Sequence, residues 1–96
     1  MVTVELKKRP QLQLTASGHA GAAPYGEDLV CAAISTLLCT LAAQLEKTGG
    51  YARLEPGFAT LRAERTKQAA AAFAFAETGL RLLAAQYPRH LQLTVR

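Results

Sequence analysis

The run from Leu29 to Leu45 is the feature that most limits what this chain can become. It is apolar almost throughout, broken only by small or uncharged polar residues at Ser35, Thr36, Thr40 and Gln44. A membrane span needs about 20 apolar residues, so this run sits at the short limit, and its polar interruptions suit the core helix of a soluble domain better. Glu27 and Asp28 stand directly before it, where acidic groups satisfy and charge-complement the free N–H groups of a first helical turn. Gly49 and Gly50 supply the stop, which gives a helix over roughly 28–47. Cys31, Ile34, Ser35, Leu38, Ala42 and Leu45 fall on one stripe, while Leu37, Leu41 and Ala33 put apolar groups on other sides. The expectation is a helix sandwiched between neighbours.

The rest of the chain supplies those neighbours. Val2, Val4 and Leu6 alternate with polar residues, as do Leu12, Leu14 and Ala16, and Lys7 to Pro10 turns between them. Ser17 to Gly26 holds Gly18, Gly21, Pro24 and Gly26, too many breakers for a regular element, and reads as a mobile loop. Tyr51–Leu54 and Phe58–Ala63 flank Glu55-Pro56-Gly57 and form either a second hairpin or one bent strand. Lys67–Gln86 is a second long helix with Phe73, Ala76, Leu80 and Leu83 inward, Phe75 and Leu82 widening that face, and Tyr87-Pro88 as its stop. Leu91, Leu93 and Val95 alternate once more. The order ββ-α-ββ-α-β describes a single small α+β domain over residues 1–96, a mostly antiparallel sheet packed with two helices. A chain of 96 residues buries a modest share of its surface, so a homodimer is expected.

One short segment carries chemistry. Ser17-Gly18-His19-Ala20-Gly21 ends a strand, and Glu27-Asp28-Leu29-Val30-Cys31 opens a helix. The thiolate is the reactive form of cysteine, and the first turn of a helix, with free N–H groups and the positive end of the dipole, favours it. His19 is placed to take the thiol proton and return it to a leaving amine if the loop folds back, and the same N–H groups can hold an oxyanion. Ser35, one turn after Cys31, reaches the same site. A cysteine within a Leu/Val/Ala run is more often a small apolar filler, and Cys39, two turns deeper, is read that way. Along one helix the two sulfurs stand roughly 12 Å apart, which excludes a disulfide within the chain.

Other classes fit poorly. The residues at 19, 31, 39 and 90 lack the paired spacing of structural zinc, so no metal is expected, and His90 is read as a surface residue. Neither a phosphate-cradling loop nor a dinucleotide fingerprint occurs, and no cofactor is expected. The 11 Lys and Arg against 7 Asp and Glu give a net charge of +4. Lys7, Lys8 and Arg9, then Arg62, Arg65 and Lys67, with Arg81, Arg89 and Arg96 singly, read as solvated turns and helix faces. Nucleic acid is therefore not expected as the primary partner, since that requires these residues on one surface beside stacking aromatics. Met1 leads into a strand-like run rather than a signal peptide, so a reducing cytoplasmic setting and no membrane association are expected.

Gly18-His19-Ala20-Gly21 followed by Tyr25-Gly26-Glu27-Asp28-Leu29-Val30-Cys31-Ala32-Ala33-Ile34-Ser35 resembles the signature of the ribosomal-processing cysteine proteases, known as Prp. The likeness runs along the whole chain, through the Glu55-Pro56-Gly57 region to Gly79-Leu80 and Tyr87-Pro88. It implies a cytoplasmic, homodimeric thiol endopeptidase, a hydrolase of ribosome biogenesis, which removes the N-terminal extension of large-subunit ribosomal protein twenty-seven. By that resemblance Cys31 is the nucleophile, His19 the general base, and Asp28 and Ser35 support them or contact substrate. Gly18, Gly21 and Gly26 let the loop open and close over an extended peptide whose residues before the cut are apolar, often aromatic. Ala22, Ala23 and Pro24 stand where members often carry an aromatic residue. The alternative from another class is a non-catalytic, ribosome- or RNA-associated homodimeric binding module.

Overall fold

The computed structural model describes residues 1–18 and 29–96. Five strands and two helices follow in order: β1 (Val2–Lys7), β2 (Leu12–Ser17), α1 (Leu29–Thr48), β3 (Gly50–Glu55), β4 (Phe58–Ala63), α2 (Lys67–Gln86) and β5 (Leu91–Val95). The strands form one sheet in the order β3-β4-β2-β1-β5. All pairings are antiparallel except β1 with β5, which is parallel, so the sheet is mixed. Glu55 faces Phe58 across the β3–β4 turn, which makes this segment a hairpin rather than one bent strand. Pro56 fixes a negative φ there and Gly57 takes the positive one, +78°.

The alternation read in the sequence is the alternation of the two sheet faces. Val2, Val4 and Leu6, Leu12, Leu14 and Ala16, and Ala59, Leu61 and Ala63 are buried under the helices, and the residues between them face solvent. Both helices lie on that one face, so the core has a single layer, closed by Leu45, Leu80 and Leu91. Burying each such leucine contributes about 1.5–3 kcal/mol.

Helix α1 differs from its expected form. It buries Val30, Ile34, Leu38, Leu41 and Leu45, a spacing of three and four that selects Leu41 over Ala42 and leaves Ser35 exposed. It is not sandwiched: α2 and the sheet cover one side, and Thr36, Cys39, Thr40, Ala43 and Gln44 face outward. By length and composition α1 is apolar enough to cross a membrane, yet Val30, Ile34, Leu38, Leu41 and Leu45 enter the core. Gly49 ends it in the left-handed region (φ +85°), its N–H donating to the Leu45 carbonyl at 2.9 Å. In α2, Thr66 caps the N-terminus, its Oγ1 accepting from the Ala69 N–H at 3.1 Å. Phe75 and Leu82 do not widen its buried face; they are 72% and 63% exposed. The helices approach so closely at Gly79 that a Cβ there would lie 2.7 Å from Leu37 Cδ2, and this contact narrows the covered stripe of α2.

Candidate active site

Gly49 joins α1 to β3 by a tight reversal, so the N-terminus of α1 returns to the end of the sheet where β2 finishes and the β3–β4 hairpin turns. Cys31 is the third residue of that helix, in its first turn, where backbone N–H groups lack partners within the helix. Its side chain is half-buried and packs against the core cluster. A thiol held by packing on one side and open on the other combines fixed position with access.

Gly18 closes β2 at the same end. Its N–H donates to the Gly57 carbonyl at 2.9 Å, which ties the strand exit to the hairpin turn. Its φ is +96°, and a Cβ at this position would collide with the Met1 carbonyl oxygen. Only glycine combines that conformation with that approach. His19, Gly21, Gly26 and Asp28 lie outside the described residues, as do residues 19–26 of the loop expected over 17–26 and the expected acidic helix start; Ser17 itself belongs to β2. Of the expected site residues, the structure therefore places Cys31, Ser35 and Gly18.

Ser35, one turn beyond Cys31, is exposed. It opens a shallow groove on the outer side of α1, continued by Thr36, Cys39, Thr40, Ala43 and Gln44. Cys39 is thus not core filler: it is exposed, and neither cysteine is in a disulfide. The signal for this groove was present in the sequence as small residues at intervals of four, Cys31, Ser35, Cys39 and Ala43, within a run that drew attention for its hydrophobicity. His90 is half-buried, and its backbone carbonyl accepts from the Val2 N–H at 2.9 Å, joining the start of β5 to the start of β1. Among the described residues no group of three or more His, Cys, Asp or Glu is placed to hold a metal ion.

The arrangement offers a sulfur nucleophile at a helix N-terminus, with backbone donors able to receive the negative charge of a tetrahedral intermediate. The fold is similar to that of the essential ribosomal processing protease Prp from Staphylococcus aureus, solved with a covalently linked product peptide. The TM-score is 0.87 at 19% identity, over 100% of both chains. The same protease with a substrate peptide gives a TM-score of 0.81 at 19% identity, again over 100% of both chains. SMU.848 from Streptococcus mutans gives 0.75 at 24% identity, over 98% of this chain and 90% of that one. No curated protein matches the sequence. The family model of the cysteine protease Prp matches residues 1–92, nearly the whole chain, and the protein belongs to that family of cysteine-type peptidases.

Proposed function

We propose that this peptidase removes the N-terminal extension of large-subunit ribosomal protein twenty-seven in the bacterial cytoplasm, with Cys31 as nucleophile and His19 as general base. The observation that carries the reading is the half-buried Cys31 in the first turn of α1, at the end of the molecule where the Gly18-His19-Ala20-Gly21 segment begins. In the reaction the Cys31 sulfur attacks the scissile carbonyl after His19 takes the thiol proton. The tetrahedral oxyanion is held by helix N–H groups and then collapses to a thioester, and His19 delivers the proton to the leaving amine. Water, deprotonated by the same imidazole, hydrolyses the thioester. Asp28 and Ser35 support or contact the substrate, and Gly18, Gly21 and Gly26 let the connecting segment admit an extended peptide. The covalently linked product peptide of the S. aureus protease supports a covalent route here.

The enzyme acts as a homodimer. An uncovered strip, where Ala42 and Ala43 of α1 face Ala52 and Leu54 beside the exposed strand β3, supports that reading. Neither cysteine is in a disulfide, which is compatible with a reducing compartment.

The decisive experiment is intact-mass spectrometry of the bacterium's own ribosomal protein, carrying its extension, after incubation with wild type, Cys31→Ala and His19→Ala. The expected result is one cut by wild type and none by either variant. Cleavage by Cys31→Ala, or an uncut substrate with wild type, overturns the proposal. Light scattering across a dilution series should give twice 10.3 kDa, and a monomer mass at every concentration removes the dimer from the reading.

A further inference from the structure

We propose that the end of the molecule opposite Cys31 is a docking surface for single-stranded RNA, a contact additional to the peptidase site and independent of it. The backbone gathers most of the chain's positive charge there. Lys7 pairs with Gln13 and Gln13 with Arg62 across the sheet, and the Lys8 N–H donates to the carbonyl of Arg96, so the end of β1, the turn bearing Arg9 and the C-terminal residue lie together. Arg65 and Lys67 follow the end of β4 at the same place, and Lys47 stands in the last turn of α1, next to where β3 begins. Of the 11 Lys and Arg, only Arg53 and Arg89 lie elsewhere, because Arg81 shares Glu77 with Lys8.

Carboxylates do not cancel this charge. Glu5 is shared by Lys7 and Arg96, each at 3.6 Å, and Glu77 receives Lys8 at 3.2 Å. Arg9, Lys47, Arg62, Arg65 and Lys67 make no ion pair among the described residues, and Glu46 and Glu64 are the other acids nearby in the chain. Away from this end Arg53 is paired with Glu55, so most of the cations without an ion pair among the described residues are gathered here.

The occupant follows from what accompanies the charge. Tyr51 is exposed on the open face of the sheet, and the Arg62 guanidinium lies 4.6 Å from its ring centroid. An aromatic plane beside a guanidinium is a stacking platform for an unpaired base, and flanking cations track a phosphate backbone. A lipid surface fits less well. Insertion needs exposed aliphatic anchors, and the exposed large apolar residues other than Tyr51 lie toward the Cys31 end or on α2.

The test is fluorescence anisotropy of a labelled 12-nucleotide single-stranded RNA with the full chain, across salt concentrations. Five unpaired cations predict a slope of about −3.5 in log K against log salt, about a 100-fold loss between 50 and 200 mM. The triple change Arg62→Gln, Arg65→Gln, Lys67→Gln should reduce that slope by about 2, while Arg53→Gln, Arg89→Gln, which removes charge elsewhere, changes affinity less than about twofold. Tyr51→Ala should weaken binding several-fold with the slope retained. A loss in the double variant equal to that in the triple variant overturns the proposal, as does unchanged affinity in Tyr51→Ala. Tighter binding to phosphatidylserine vesicles than to RNA, or absence of RNA binding at 50 mM salt, also overturns it. Circular dichroism confirms that each variant is folded, and peptide cleavage by the triple variant should equal that of wild type.

Discussion

Replacing Gly18 by alanine tests whether the exit from β2 is built as described. Two separate costs are expected. The first is conformational: at φ +96° an L-residue is strained by about 1–2 kcal/mol. The second is steric, because the new Cβ overlaps the Met1 carbonyl oxygen, a backbone atom. Moving Met1 aside strains the adjacent hydrogen bond from the Val2 N–H to the His90 carbonyl (2.9 Å), at a further cost of about 1 kcal/mol. Gly49→Ala provides the control: its φ is +85°, and its new Cβ meets nothing within 4 Å, so it carries the first cost alone. Urea unfolding with an m-value of about 1.5 kcal/mol/M should therefore lower the midpoint by about 1 M for Gly49→Ala and about 2 M for Gly18→Ala. Equal shifts would show that Met1 yields freely, and a wild-type midpoint for Gly18→Ala would refute the geometry altogether.

Three further outcomes are expected. Leu61→Ala, at a fully buried position of β4, should cost about 2–5 kcal/mol by urea unfolding, and a loss below 1 kcal/mol would contradict the packing of helices over that strand. Thr66→Ala removes the acceptor for the Ala69 N–H and should cost about 1 kcal/mol, with Thr66→Asn largely restoring it. Burial acts to raise the Glu77 pKa, but hydrogen bonds and charges from Arg81 (2.8 Å) and Lys8 (3.2 Å) outweigh it and hold the carboxyl below its ordinary value. Its stabilising contribution is then present above the unfolded-state pKa and is lost as pH falls through the lowered folded value. A pH series of unfolding free energies should converge for wild type and Glu77→Gln in acid and diverge toward neutrality; parallel curves would show that the three-residue network contributes nothing.

Element boundaries were legible where a local cause sets them. Gly49 closes α1 and Tyr87-Pro88 closes α2 because a positive φ and a fixed pyrrolidine ring act on their own neighbours, whatever the rest of the molecule does. The strands were legible because one sheet face is dry and the other wet. What was not legible depends on partners. Alternation in Leu91–Val95 is the same in parallel and antiparallel pairing, so the parallel contact with β1 could not be read from it. The run Leu29–Leu45 is apolar all round, and its buried side was decided by the seat of α1 against α2 and the sheet, which drew in Leu41 and left Ser35 and Cys39 outside. Phe75 and Leu82 continue the apolar pattern of α2 past the width that the Gly79–Leu37 contact can cover. At the site, Cys31 was legible because a Gly-rich stretch followed by Glu27 and Asp28 announces a helix start, and the structure puts Cys31 in that first turn.

The parallel pairing of β5 with β1 also closes the sheet across a long stretch of sequence. Val2–Leu6 cannot complete its hydrogen bonding until Leu91–Val95 arrives, and Leu91 is among the most deeply buried residues. β1 therefore keeps an open strand edge until a segment about 90 residues away in sequence reaches it, so the sheet is complete only when that distant and entropically costly contact has formed.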